Sequence, residues 1–99
     1  MDTYVVLINW TDQGVRAFRD TLDRAEAFNS LMQQLGGQAR EIYWTVGPYD
    51  IVAIIEAPDD ETITAALLAV SSQGNVRTTT LRAFSAEEMR GIIDKLGAG

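Results

Sequence analysis

A chain of 99 residues has room for one domain and one modest core, burying roughly 60–65% of its unfolded surface. With 46% hydrophobic and 22% charged residues its composition is that of a globular protein, while a net charge of −6 and the lack of any Lys/Arg run argue against nucleic acid as a partner. Cysteine and histidine are both absent, which excludes disulfides, thiolate nucleophiles, imidazole bases and Cys/His metal sites; any metal would have to accept carboxylates alone, a set suited to Mg, Ca or Mn, and neither a metal nor a cofactor is expected.

The N-terminus runs straight into a strand, without a basic segment, a cleavage site or a long apolar stretch. Neither export nor a membrane span is expected, and the cytoplasm is the default location. In the first strand, Tyr4–Trp10, Tyr4, Val6 and Ile8 face one way and Val5 and Leu7 the other, so both faces are apolar. Such a strand belongs inside a sheet covered on each side. Thr11-Asp12-Gln13-Gly14 offers a helix cap and a turn. From Val15 to Leu35 the pattern is helical, with Leu22, Ala25, Phe28, Met32 and Leu35 as one stripe. Val15 and Phe18 belong to an earlier, offset turn, because Arg19, Asp20 and Thr21 interrupt that stripe. Gly36-Gly37 stops the helix.

A second strand over Ala39–Val46 and a third over Ile51–Ala57 fold on each other about Gly47, Pro48, Tyr49 and Asp50. Pro48 suits the first corner of a turn, Gly47 accepts the extended geometry imposed before proline, and the Asp50 carboxylate is expected to fold onto turn amides. Pro58-Asp59-Asp60-Glu61 opens the next helix. Its three acids read as a cap on the positive end of the helix dipole rather than a metal cluster, since adjacent carboxylates on a helix point apart. Ile63, Ala66, Leu67 and Val70 are its buried stripe, and Gly74-Asn75 ends it. Val76–Phe84 is a β-branched, alternating fourth strand. Ser85-Ala86-Glu87-Glu88 is a capping box opening a last helix, whose stripe is Met89, Ile92, Ile93 and Leu96.

Two strand–helix–strand crossovers around one hairpin predict an α+β, ferredoxin-like βαββαβ domain over residues 1–99, with an extra C-terminal helix. The expected sheet is four-stranded and antiparallel, in the order fourth, first, third, second, with both crossover helices on one face. The other face is then apolar and bare. Either the last helix folds under it or a second copy stacks sheet on sheet, with the last helix beside the stack; the homodimer or a higher homo-oligomer is the favoured expectation.

Val46–Val52, Glu56–Asp60 and Gly74–Leu81 together resemble the GYD-domain family, named for a Gly-x-Tyr-Asp turn such as Gly47–Asp50. Tyr4–Trp10 and Thr11–Gly14 are similar to its opening. The resemblance implies a dimeric α+β barrel, largely of unassigned biochemical activity. More distantly, the turn and the Thr-rich fourth strand resemble the effector-sensing domain of leucine-responsive regulators, which implies an amino acid bound between subunits. The helix-turn-helix of those regulators has no counterpart here, so DNA binding does not carry over.

Tyr43, Thr45, Tyr49, Asp50, Thr78, Thr80 and Arg82 mix aromatic walls, hydroxyls and one guanidinium, a set suited to a small organic acid or amino acid at a subunit interface. Equally, Tyr43 and Trp44 fit an interface and the threonines fit β-propensity alone. Related dimeric barrels include cofactor-free monooxygenases and isomerases; under that alternative Glu41, buried between subunits, is the weak candidate for a base. A third reading is assembly without any ligand.

Overall fold

The computed structural model describes residues 1–97. Strands β1 (Asp2–Trp10), β2 (Gln38–Trp44), β3 (Ile51–Ala57) and β4 (Val76–Ala83) form one antiparallel sheet in the order β2-β3-β1-β4. Helices α1 (Asp12–Arg16) and α2 (Thr21–Gln34) connect β1 to β2, α3 (Asp60–Ser71) connects β3 to β4, and α4 (Ala86–Asp94) follows β4. This is the expected ferredoxin-like order with its extra helix.

The single helix read over Val15–Leu35 is divided. Thr11 Oγ caps α1 by accepting from the Gly14 amide at 3.1 Å, and a 3-10 turn over Phe18–Asp20 separates α1 from α2. Within α2, Met32 is wholly buried and Phe28 and Leu31 pack against the core, whereas Leu22 is 63% exposed. At about 100° per residue, Leu22 lies about 80° round the helix from Met32, on the side away from Leu31. Gly36, with φ 87°, closes α2 as the glycine pair predicts.

The core lies between the sheet and the two crossover helices. Tyr4 and Val6 of β1, Ala53, Ile55 and Ala57 of β3, Met32 of α2, and Ile63, Ala66 and Leu67 of α3 are buried together. Asp59 caps α3, accepting from the Thr62 amide at 2.8 Å and the Thr62 hydroxyl at 2.7 Å. The acidic run is therefore a cap at its first member, and Asp60 accepts from the Tyr4 hydroxyl. A register shift between Ala39 and Glu41 leaves Arg40 as the extra residue of a bulge.

The last helix does not fold under the sheet. Its capping box is complete, with the Ser85 hydroxyl accepting from Glu88 N–H and the Glu88 carboxylate accepting from Ser85 N–H. Yet α4 packs extensively against no other element, and its apolar stripe stays open, Leu96 being 86% exposed. A radius of gyration of 15.3 Å exceeds the roughly 13 Å of a compact chain of this size. A helix standing off the body accounts for that elongation.

Candidate functional site

Strand register sorts every side chain onto one of two sheet faces. Tyr4, Val6 and Ile8 oppose Ile55, Ala53 and Ile51 on the helix-covered face. Val5 and Leu7 oppose Ile54 and Val52 on the other, where Leu81 and Thr79 flank them from β4 and Glu41 and Tyr43 from β2. Val5, Leu7, Val52 and Ile54 form a half-buried aliphatic rib, continued by Leu81 at 48% and Tyr43 at 53% exposure.

Across the edge of this rib, the Tyr43 hydroxyl donates to the Glu41 carboxylate at 2.6 Å. That hydrogen bond and the Glu41 charge raise the Tyr43 phenol above its ordinary value of 10.0. Glu41 itself is exposed in the single chain, so the burial on which its reading as a base depends would have to come from a second subunit.

The turn is longer than the strand pattern suggests. Thr45 and Val46 lie outside β2; Thr45 N–H donates to Asp50 O at 2.8 Å and its hydroxyl to Tyr49 O at 2.6 Å. Thr45 is thus the brace of the turn, the role expected of Asp50. The Asp50 carboxylate instead accepts from the Trp10 amide at 2.8 Å, and its own amide donates to Ile8 O at 2.9 Å, which ties the hairpin to the end of β1. Gly47 has φ 134°, a left-handed value rather than an extended one, which a residue with a side chain resists.

Thr78, Thr80 and Arg82 share the helix-covered face at its β4 edge, opposite Ile8, Val6 and Tyr4. Arg82 is committed to structure there. It donates to the Thr3 carbonyl at 3.3 Å and to the Ala83 carbonyl, pairs with Asp2 at 3.0 Å and Glu88 at 3.9 Å, and lies over the Tyr4 and Phe84 rings. The residues read as ligand-binding are therefore divided between two faces and the turn, and one chain does not bring them together. Two contributions lay outside the sequence reading, the Asp50–Trp10 tie and the anchoring of α4 through Arg82. The first joins residues forty positions apart, and the second places Arg82 between Asp2 of β1 and Glu88 of α4.

Among the described residues, no group of three acids is placed to hold a metal ion, and no helix is long and apolar enough to cross a membrane. A curated relative from Thermus thermophilus, "Glutamine synthetase and cystathionine beta-lyase binding protein", is 33% identical over 90 residues, spanning 90% of this chain and 95% of the relative. The crystal structure of TTHA0845 from the same organism aligns with a TM-score of 0.56 at 32% identity, covering 87% of this chain and 96% of that one. The GYD domain model matches residues 4–93, including the Gly47–Asp50 turn and all four strands from Tyr4 onward, and the chain belongs to the GYD family.

Proposed function

We propose that this chain is a protein-association module: two copies stack through the open sheet face, and the assembly binds an enzyme partner. One observation carries the reading. Among the described residues no helix packs extensively on the rib of Val5, Leu7, Val52 and Ile54, with Leu81 beside it, and α4 in particular does not. At about 25 cal/mol per Å², a few hundred Å² of such surface left in water costs several kcal/mol, comparable with the stability of a small domain. A flat apolar sheet is self-complementary, so an isologous pair removes the exposure with a single contact. The name of the Thermus relative supports an enzyme partner, and glutamine synthetase and cystathionine beta-lyase are the first to test. The cytoplasm is the working location.

A small organic acid or amino acid at the subunit interface is a second reading, favoured only by Glu41 and Tyr43 bordering the rib. The oxygenase or isomerase alternative needs the same border enclosed by a partner subunit. Sedimentation of the purified chain tests the stack directly. The wild type is expected to sediment as a dimer or larger, and Leu7→Asp as a folded monomer. A monomeric wild type at high micromolar concentration would refute self-association. Titration of purified glutamine synthetase and cystathionine beta-lyase into both proteins then tests the partner.

A further inference from the structure

The last helix carries an apolar face that its own chain leaves uncovered. In α4 and its closing turn, Ile92, Ile93 and Leu96 stand three, four and seven positions after Met89, which places all four on one side of a helix, with Glu87, Gly91 and Asp94 on the other. Met89 is 46% exposed, Ile93 55% and Leu96 86%, and among the described residues α4 makes extensive contact with no other element. A helix of nine residues falls short of the roughly 12–15 that are marginal in water unaided. Its stability has to come from packing that face, and the single chain supplies no surface for it.

The helix is nevertheless held in a defined place. Only Phe84 and Ser85 separate it from β4. Arg82 clamps this connection, pairing with Asp2 at 3.0 Å and Glu88 at 3.9 Å and lying 4.5 Å over the Phe84 ring. Folding α4 under its own sheet would pull Glu88 and Phe84 away from Arg82. The helix stands off instead, in a molecule 54 × 31 × 19 Å in extent. The strand it leaves is the one that contributes Leu81 to the open rib, so the two uncovered apolar surfaces follow one another along the chain. The rib offers a few hundred Å² per copy, short of the roughly 800 Å² that each partner gives to a stable interface. A second apolar surface is needed to make up the difference, and α4 displays one.

We infer that α4 is an exchanged arm: in the stacked pair each copy lays Met89, Ile92, Ile93 and Leu96 on the border of the other, giving one arm and receiving one. The inference rests on the sheet-to-sheet pair proposed above and adds to it a second contact, made by residues outside the rib. It accounts for a helix whose cap and apolar face are complete although its own chain gives it nothing to pack against.

Sedimentation equilibrium separates the arm from the stack. Ile93→Gln and Leu96→Gln remove apolar surface without adding charge, at positions more than half exposed in the single chain, so circular dichroism should show the wild-type fold. Each is expected to raise the dimer dissociation constant about tenfold and the two together about a hundredfold. Asp94→Gln, on the opposite side of the helix, should leave it unchanged. Amide exchange provides a second readout. The amides from Ile92 to Leu96 should be protected in the wild-type dimer and exchange at least about tenfold faster in monomeric Leu7→Asp, although that substitution lies in β1. Wild-type association by folded Ile93→Gln and Leu96→Gln, or equal protection of α4 in monomeric Leu7→Asp, would overturn the arm and leave the stack standing. A monomeric wild type would overturn both.

Discussion

At Gly14 the chain has no room for a methyl group. Gly14 is buried in α1, and a Cβ there would run into the backbone carbonyl of Asn75, the same oxygen that accepts from Thr11 N–H at 3.0 Å. Backbone on both sides leaves nothing flexible to yield. Gly14→Ala is therefore expected to lower stability by about 3 kcal/mol in urea unfolding, near the top of the range for overpacking. Tyr4 supplies a test by pH. Its phenol is pushed up from 10.0 to about 12, first by burial and then by its hydrogen bond to Asp60 and the charges of Asp60 and Asp2. A group whose folded pKa is raised contributes stability that is complete below the unfolded value and lost as pH climbs through the folded one. The wild type should consequently lose stability between pH 10 and about 12, and Tyr4→Phe should flatten that limb of the melting profile. Residue roles were legible where the partner is local. Ser85 with Glu88, and Asp59 with Thr62, stand three positions apart, and caps have fixed spacing. Asp50 was misread because its acceptor role depends on Trp10, forty positions away, where register rather than spacing decides.

Elements with a continuous period were legible, and those broken by an irregular turn were less so. The strands and α3 lie where alternation and the stripe of Ile63, Ala66 and Leu67 put them, except that β2 ends at Trp44, two residues short of Val46. The division of Val15–Leu35 was visible only as an interruption, since Arg19, Asp20 and Thr21 mark a break without specifying a 3-10 turn. For α4 the existence, the cap and the apolar face were all readable. Its position was not, because a stripe says that a helix wants cover and not which surface supplies it. The caps carry an acid-limb prediction. Hydrogen bonds from Thr62 hold the Asp59 carboxyl below its ordinary 3.8, and the Ser85 amide, aided by the Arg82 charge, holds Glu88 below 4.5. Depressed carboxylates contribute stability that is present above the unfolded value and disappears as pH falls through the folded one. Circular dichroism between about pH 5 and 3 should show helix signal lost in the wild type, and less loss in Asp59→Asn with Glu88→Gln, which keep capping groups that do not titrate. At Gly91 in α4 an added Cβ meets nothing within 4 Å. Gly91→Ala should accordingly strengthen this helix by about 0.5–1 kcal/mol, read as slower amide exchange from Glu88 to Asp94.

For the molecule as a whole, the two sheet faces make opposite demands on neighbouring residues of one strand. Val6 is fully buried against Ala53, while Leu7, the next residue, lies on the rib opposite Val52. A carboxylate at Val6 would sit in the core without a partner, so Val6→Asp is expected to cost more than about 4 kcal/mol and leave little folded protein at any concentration. A carboxylate at Leu7 meets solvent in the single chain and is buried only when a second sheet arrives. Its effect should then appear in association and not in the fold of one copy. Mass action separates these outcomes, because binding of folded copies to one another stabilises the native state in proportion to the logarithm of concentration. The melting temperature of the wild type should rise with protein concentration, whereas that of Leu7→Asp should be independent of it and match the wild type only at high dilution. A wild-type melting temperature that stays constant over a hundredfold range of concentration, with Leu7→Asp melting alongside it, would mean that water covers the rib and that the stacked pair does not form.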